Sequence, residues 1–241
     1  MFKFVTKILF TNTMKNLVFL TGAGISAESG IKTFRDADGL WEGHHITEVA
    51  SFEGFQNNPE IVLDFYNKRR KQLQEVEPNQ AHFVIADLQK DFNVTVITQN
   101  VDDLHERAGS KKIIHLHGEL LKARSVENDL LIYNWKDDIL VGTTNRENHQ
   151  LRPHIVWFGE AVPEIENAIK VIEKADIVVI IGTSLQVYPA AGLIDYALNA
   201  KHFFYIDQNP AETGYFNKPI KVIAKKASAG MLDLQQILNE L

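Results

Sequence analysis

The sequence predicts an α/β protein, a parallel sheet with helices on both faces plus a small second module made of two insertions. Three observations lead there. Six short apolar runs rich in β-branched residues recur along the chain, at 17–21, 94–98, 113–116, 177–182, 203–206 and 220–224. Helical patterns separate many of them, at 59–73, 81–88, 164–173, 190–200 and 231–241. Near-continuous hydrophobic strands alternating with helices are the pattern of a sheet buried on both sides. Lastly, polar and glycine-rich pieces fall where strands end, after Thr21, Thr98, Leu116, Ile181 and Ile206. Ligands on such sheets sit at the carboxyl ends of the strands.

The first run, Asn16 to Thr21, breaks into Gly22-Ala23-Gly24-Ile25-Ser26-Ala27 and then re-enters a helix-capable stretch. Glycines after a buried strand free backbone N–H groups to face an anion, and a helix N-terminus adds partial positive charge. Gly22, Gly24 and Ala27 fit the G-x-G-x-x-[G/A] pattern of dinucleotide-binding, Rossmann-like folds, although a tight turn produces the same signal. The chain then departs from an ordinary dinucleotide unit. Instead of a second strand with an acidic end, Gly30 to Asp36 reads as a loop holding Phe34 and Arg35.

Residues 14–34, 76–118 and 153–241 are assigned to the sheet domain. Residues 35–75, a loop and a helix without a strand, and the polar, irregular 119–152 form the small module. Residues 1–13 are expected to be an extension the fold can dispense with. Their apolar run is short, and no small-residue cleavage site follows.

Composition narrows the function. A hydrophobic share of 45% supports a real core, and a net charge of −6 argues against non-specific nucleic-acid binding. No run approaches the ~18 apolar residues of a membrane span. The absence of cysteine removes disulfides, thiolate metal sites and cysteine nucleophiles, and is compatible with a reducing cytoplasm. A cytoplasmic monomer with no nucleic-acid or membrane partner is expected.

The second strand runs into Gln99-Asn100-Val101-Asp102-Asp103, where amide and carboxylate groups crowd a strand end. They could read ribose hydroxyls and a carboxamide, or form an Asx turn and helix cap. Next comes His115-Leu116-His117-Gly118. In period-2 alternation the two histidines share a face, open to a metal, catalytic or surface role, and Gly118 leaves His117 room to enter a cleft.

With the later segments Arg152-Pro153-His154-Ile155-Val156-Trp157-Phe158-Gly159-Glu160 and Gly182-Thr183-Ser184, these ordered motifs resemble the sirtuin family from Lys15 to the end of the chain. The resemblance implies an NAD-dependent protein lysine deacylase. In that chemistry the acyl-lysine carbonyl oxygen attacks C1′ of the nicotinamide ribose as nicotinamide leaves. A histidine base then helps a ribose hydroxyl attack the resulting imidate, giving free lysine and an O-acyl-ADP-ribose. By the same resemblance His117 is the base, and Asn100 and Asp102 line the nicotinamide pocket. Gln99 contacts a ribose, while Gly22, Ala23, Gly24, Gly182, Thr183 and Ser184 surround the pyrophosphate. Phe34 and Arg35 belong to the cofactor loop. Asp207 stands where many members have Asn; a carboxylate can accept from both hydroxyls of the adenosine ribose, and Asn209 is the alternative contact. Val156, Phe158, Gly159, Glu160 and Val187 match the strips that clamp an extended peptide, a backbone-paired mode with little sequence demand.

The family usually carries two cysteine pairs holding a structural zinc. Here the first position reads Ser125-Val126-Glu127-Asn128, so 119–152 is expected to fold without metal and to be the least stable part. A small core of Leu130, Leu131, Ile132, Tyr133 and Trp135 could replace the clip. On the helix 59–73, Tyr66 and Arg69 lie one turn apart, Arg69 within the charge run Lys68 to Lys71. That run alone reads as a solvated face. Within the family the pair resembles the Tyr-x-x-Arg signature of members that remove succinyl, malonyl or glutaryl groups, with Ala50 widening the acyl pocket. The expected activity is therefore dual, on succinyl/malonyl and acetyl lysine. An NAD hydrolase or ADP-ribosyltransferase on the same scaffold is the alternative.

Overall fold

A computed structural model describes residues 14–32, 40–41, 43–214 and 218–241. Phe34, Arg35 and the extension 1–13 lie outside the described residues. Eleven strands are present among them: β1 (Asn16–Thr21), β2 (Leu40–Trp41), β3 (His44–His45), β4 (Asn93–Thr98), β5 (Ile113–His115), β6 (Gly118–Ser125), β7 (Ile132–Asn134), β8 (Leu151–Ile155), β9 (Ile177–Ile181), β10 (His202–Ile206) and β11 (Lys221–Ile223). The α-helices are α1 (Ile46–Val49), α2 (Phe52–Asn57), α3 (Pro59–Glu75), α4 (Gln80–Asp87), α5 (Leu104–Arg107), α6 (Ile165–Ile172) and α7 (Ala227–Leu238).

Six strands form one sheet in the order β11-β10-β9-β1-β4-β5, with every pair parallel. β1 sits between β4 and β9, Thr21 pairing with Thr98 on one side and Ile181 on the other. The chain winds outward from β1 in both directions, so the order reverses there. A crevice opens above that point, where the loops on either side diverge.

The alternation within β1 divides the core. Leu17 and Phe19 pack on one face with Ile85, Met231 and Leu234, and Val18 and Leu20 on the other with Ile172, Val178 and Leu193. A third cluster, including Val62, Leu63, Phe65, Tyr66, Leu120, Leu151, Ile155 and Trp157, joins α3 to the β6–β8 segment.

Several expectations are corrected. The stretch after Gly22 forms two 3₁₀ turns, Ala23–Ile25 and Ala27–Ser29, in place of an α-helix. The helix expected at 190–200 is a 3₁₀ segment, Ala190–Tyr196, that includes Gly192, a poor α-helix former. The last helix begins at Ala227, four residues before the apolar pattern at Met231. Lys226 supplies no side-chain cap there, but the Glu28 carboxylate accepts the Ser228 N–H at 2.9 Å from 200 residues away. The 35–75 segment contains the short antiparallel pair β2–β3. The 119–152 insertion, read as irregular, carries most of a three-stranded antiparallel sheet in the order β7-β6-β8.

The proposed Leu130–Trp135 core is also corrected. Leu130 is 89% exposed and Ile132 44%, while Tyr133 and Trp135 pack against the third cluster. Besides the apolar contacts of Leu120, Ile139 and Leu151, polar side chains tie the insertion down. The Asn67 side chain imitates a strand, donating from Nδ2 to the Ile139 carbonyl and accepting the Ile139 N–H, each at 2.9 Å. Arg70, 1% exposed, donates to the Leu120 carbonyl at 3.1 Å and to Asn67 Oδ1 at 2.7 Å. At the outer end, Ser125 Oγ accepts the N–H groups of Glu127 and Asn128, and Asn145 Oδ1 those of Glu147 and His149. Side chains thereby close the two turns.

Candidate active site

The switch point assembles most of the sequence-predicted cofactor residues. The loops after β1 and β9 touch backbone to backbone. The Gly24 N–H donates to the Gly182 carbonyl at 2.8 Å, and a Cβ on Gly24 would stand 2.5 Å from Gly182 Cα. Gly182 itself has φ +61°, a left-handed conformation that favours glycine. Glycine is required here first for the loops to close on each other. The N–H groups of Ala23, Thr183 and Ser184 donate to no acceptor among the described residues. A row of such amides at strand ends is the donor set a pyrophosphate needs.

The loop after β4 closes the same crevice. Gln99 Nε2 donates to Thr183 Oγ1 at 3.1 Å, bridging β4 and β9. Asn100 Nδ2 donates to the Gly22 carbonyl and to Ser26 Oγ, each at 3.2 Å. Ser26 Oγ in turn donates to Asp102 Oδ2 at 2.9 Å, and the Leu104 N–H reaches Asp102 Oδ1 at 3.2 Å. Asp102 therefore combines an Asx-turn contact to the first residue of α5 with a carboxyl group in the crevice, while the N-cap position itself, Asp103, makes no side-chain cap. Burial pushes its pKa up to about 6, with the Ser26 and Leu104 hydrogen bonds pulling the other way. Ser26 was not singled out from the sequence. Its place in the Gly-Ala-Gly-Ile-Ser run was the available signal, but only the fold brings it to Asn100 and Asp102. At the far side Asp207 follows β10, buried, with Oδ1 accepting the Asn209 N–H at 2.8 Å.

His117 follows β5 and faces the β4 exit. Its Nδ1 lies 3.0 Å from the Gln99 carbonyl oxygen. A carbonyl only accepts, so Nδ1 carries the proton and the neutral ring keeps Nε2 as its basic atom. Burial holds the His117 pKa below the ordinary histidine value, with the Gln99 carbonyl opposing. The ring is thus neutral at physiological pH with Nε2 ready to accept a proton.

The expected peptide strip is zipped beside this histidine. The Val156 N–H donates to the His117 carbonyl at 2.9 Å, and the Phe158 N–H to the Ala50 carbonyl at 2.9 Å. Phe158 is 48% exposed and Val187 37%, and Gly159 is exposed at φ +88°. Ala50 is buried behind them. The Glu160 carboxylate turns back onto the N–H of Trp157 within the strip and inward to two arginines. It is held by Arg152 through Nη1 at 2.7 Å and Nη2 at 2.9 Å, by Arg124 Nη2 at 3.0 Å, and by the Trp157 N–H at 2.8 Å. Those contacts commit the Glu160 side chain to structure. Burial alone would raise its pKa, but the arginines and the Trp157 N–H outweigh it and hold the carboxyl below its usual value. Arg152, whose guanidinium lies 3.4 Å from the Trp157 ring centroid, was the residue missed in sequence.

Tyr66 and Arg69 do not form a solvated face. Tyr66 is buried, and its hydroxyl accepts from Trp157 Nε1 at 2.9 Å. Burial pushes the phenol pKa well above its ordinary value. Arg69 is half-buried, its guanidinium stacked 3.4 Å from the Phe65 centroid and Nη1 donating to the Phe65 carbonyl at 3.1 Å.

The Sir2 family model matches residues 22–189. The chain belongs to the Sir2 family. Among curated relatives of this Sir2-family chain, a Helicobacter pylori protein named NAD-dependent protein deacylase is 56% identical over 95% of the chain and 99% of its own length. One of the same name from Bacteroides thetaiotaomicron is 55% identical over 93% and 98%. Among solved structures, a Sir2 homologue variant in complex with ADP-ribose superposes at TM-score 0.84, with 35% identity and 94% and 93% coverage. A Sir2 variant bound to a p53 peptide and NAD gives TM-score 0.78 at 27% identity, covering 95% and 96%.

Proposed function

We propose that this Sir2-family chain is an NAD-dependent protein lysine deacylase, releasing nicotinamide, O-acyl-ADP-ribose and free lysine, and that it acts on succinyl/malonyl as well as acetyl groups. The observation that carries the activity is His117, oriented through Nδ1 by the Gln99 carbonyl so that Nε2 is the base. It stands at the rim of a crevice whose unpaired amides, Gly24–Gly182 closure and buried Asp102 suit a dinucleotide. The names of the relatives support the same reading. Bound NAD supplies an electrophilic C1′ once nicotinamide departs. The chain's part is to seat the pyrophosphate on Ala23, Thr183 and Ser184, and the nicotinamide end against Asn100 and Asp102. His117 Nε2 takes the proton of a ribose hydroxyl as that oxygen attacks the acyl carbon. Burial of this rim excludes water that would compete for C1′.

Val156, Phe158, Gly159 and Val187 would hold the substrate backbone, and Glu160 would fix the end of that strip from within. For the acyl group, Tyr66 and Arg69, one turn apart on α3, bring together a phenol and a guanidinium, the side-chain types that recognise a terminal carboxylate. A cytoplasmic setting fits a reaction that consumes NAD.

Mass spectrometry of matched acetyl-lysine and succinyl-lysine peptides, with and without NAD, tests this directly. NAD-dependent formation of free lysine and O-acyl-ADP-ribose, lost in His117→Ala, is the expected result. NAD consumption with neither peptide turned over would overturn it in favour of NAD hydrolysis. Arg69→Met should lower desuccinylation by about 2–4 kcal/mol of transition-state binding and leave deacetylation much less affected. Equal losses on both peptides would make Arg69 structural.

A further inference from the structure

His115, two residues before the base, has an environment opposite to that of His117. Its Nδ1 lies 3.1 Å from the Asn100 carbonyl oxygen and its Nε2 2.7 Å from Glu106 Oε1. A carbonyl and a carboxylate both accept, so both ring nitrogens must donate for both contacts to be satisfied. A neutral imidazole has one donor, and the imidazolium has two. Its side chain is 9% exposed and the Asn100 contact is part-buried, so water replaces that inner bond poorly, while the Glu106 carboxylate at the outer end is 40% exposed.

We infer that His115 is a positioning residue held as an imidazolium between Glu106 and the Asn100 carbonyl, its charge fixing the loop Asn100–Asp102. The consequence for NAD rests on the reading of that loop as the nicotinamide seat. Asn100 is gripped from two sides. Its side chain is bonded to Gly22 and Ser26, and its carbonyl is pulled by His115. The charged and titratable groups around His115 are Glu106 and His105 from α5, Glu119 from β6, and Asp102 from the loop itself. Burial alone would lower the His115 pKa. The Glu106 hydrogen bond and charge, the Asn100 carbonyl and Glu119 overcome that and hold it above the ordinary histidine value. His115 also helps to keep Asp102 ionised, against the push of burial. Glu106, His115 and Glu119 could hold a cation by proximity. However, Glu119 is paired with Lys122, and Glu106 already bonds the ring nitrogen directly.

The sequence therefore places a charged and a neutral histidine two positions apart, with successive carbonyls, Asn100 and Gln99, as their Nδ1 partners. The charged ring steadies the loop and the neutral ring takes the proton. As pH rises through the His115 pKa, one of its two contacts must fail, and the grip on Asn100 weakens.

The experiment is ¹⁵N NMR of the histidine rings at neutral pH, with kinetics of the wild type and Glu106→Gln. Expected are an imidazolium signature for His115, a neutral one for His117, and a His115 ring made neutral in Glu106→Gln. In that variant KM for NAD should rise about tenfold, the worth of a charge-assisted hydrogen bond, while KM for the acyl peptide stays unchanged. Wild-type KM for NAD should climb as pH passes the NMR-measured His115 pKa, and in Glu106→Gln it should be flat there. A neutral His115 in the wild type would overturn the inference, as would an unchanged KM for NAD in Glu106→Gln. So would parallel rises in KM for both substrates. Stoichiometric Zn²⁺ binding lost in Glu106→Gln would overturn it too, making these side chains ligands. The NMR readout does not depend on turnover, so failure of the deacylase reading would be seen separately, as an inactive wild type.

Discussion

Replacing Asn67 with alanine should release the 119–152 insertion from α3. Asn67 makes three buried contacts there: two with the Ile139 backbone at 2.9 Å and one from Arg70 Nη1 at 2.7 Å. Each neutral bond contributes about 0.5–1.5 kcal/mol net, and one to a charged group about 1.5–3. Truncation also strands the Ile139 N–H and carbonyl and part of a guanidinium whose pKa burial already lowers to about 10, Asp138 and Asp137 opposing. The expected loss is about 3–5 kcal/mol, a large part of the stability of an ordinary domain. Asn67→Asp keeps an oxygen for the Ile139 N–H and for Arg70, whose charge it pairs, but sets a second acceptor against the Ile139 carbonyl in place of the donor, so about 1–3 kcal/mol should go. Urea unfolding followed by tryptophan fluorescence gives the totals, and amide hydrogen exchange over residues 137–151 localises them. A loss below about 1 kcal/mol for Asn67→Ala, or unchanged exchange in that segment, would refute the view that this side chain acts as the clip.

Three more outcomes are expected. Because burial lowers the His117 pKa, the rising limb of the pH–activity profile should lie below the ordinary histidine value, with the base already neutral at pH 7; a limb above it would point to another base. Glu160 is depressed in the fold, so its stabilisation is present above the unfolded carboxyl pKa and lost as pH falls through the folded one. Glu160→Gln should cost about 3–5 kcal/mol at neutral pH by stranding buried Arg152, and should flatten the acid-side decline in melting temperature. Finally, a chelator should leave both melting temperature and deacylation unchanged, since the chain has no cysteine and its turns close on Ser125 and Asn145; a drop in either would reveal a metal contribution.

The parallel sheet was legible because its strands are buried on both faces, and burial writes itself as unbroken runs such as Ile177–Ile181. The crevice was legible because glycines and amides cluster at strand ends. The insertion was not. Its strands β6 and β8 bury Arg124 and Arg152, and a buried arginine looks in sequence like a surface one. The partners of Glu160 were hidden for the same reason, lying 8 and 36 residues away.

By itself the sequence determined the layer architecture and the switch-point loops, because periodicity and glycine placement are local properties, while His117 was singled out from His115 only by the resemblance of its motif. Only the tertiary structure decided which polar side chains are committed to holding the fold and which face the crevice. It capped α7 with Glu28, tied the insertion to Asn67 and Arg70, and set His115 against two acceptors while giving His117 one. Those assignments depend on partners brought together by folding, and a hydrogen bond or a desolvated charge has no signature in a chain until both of its members are in place.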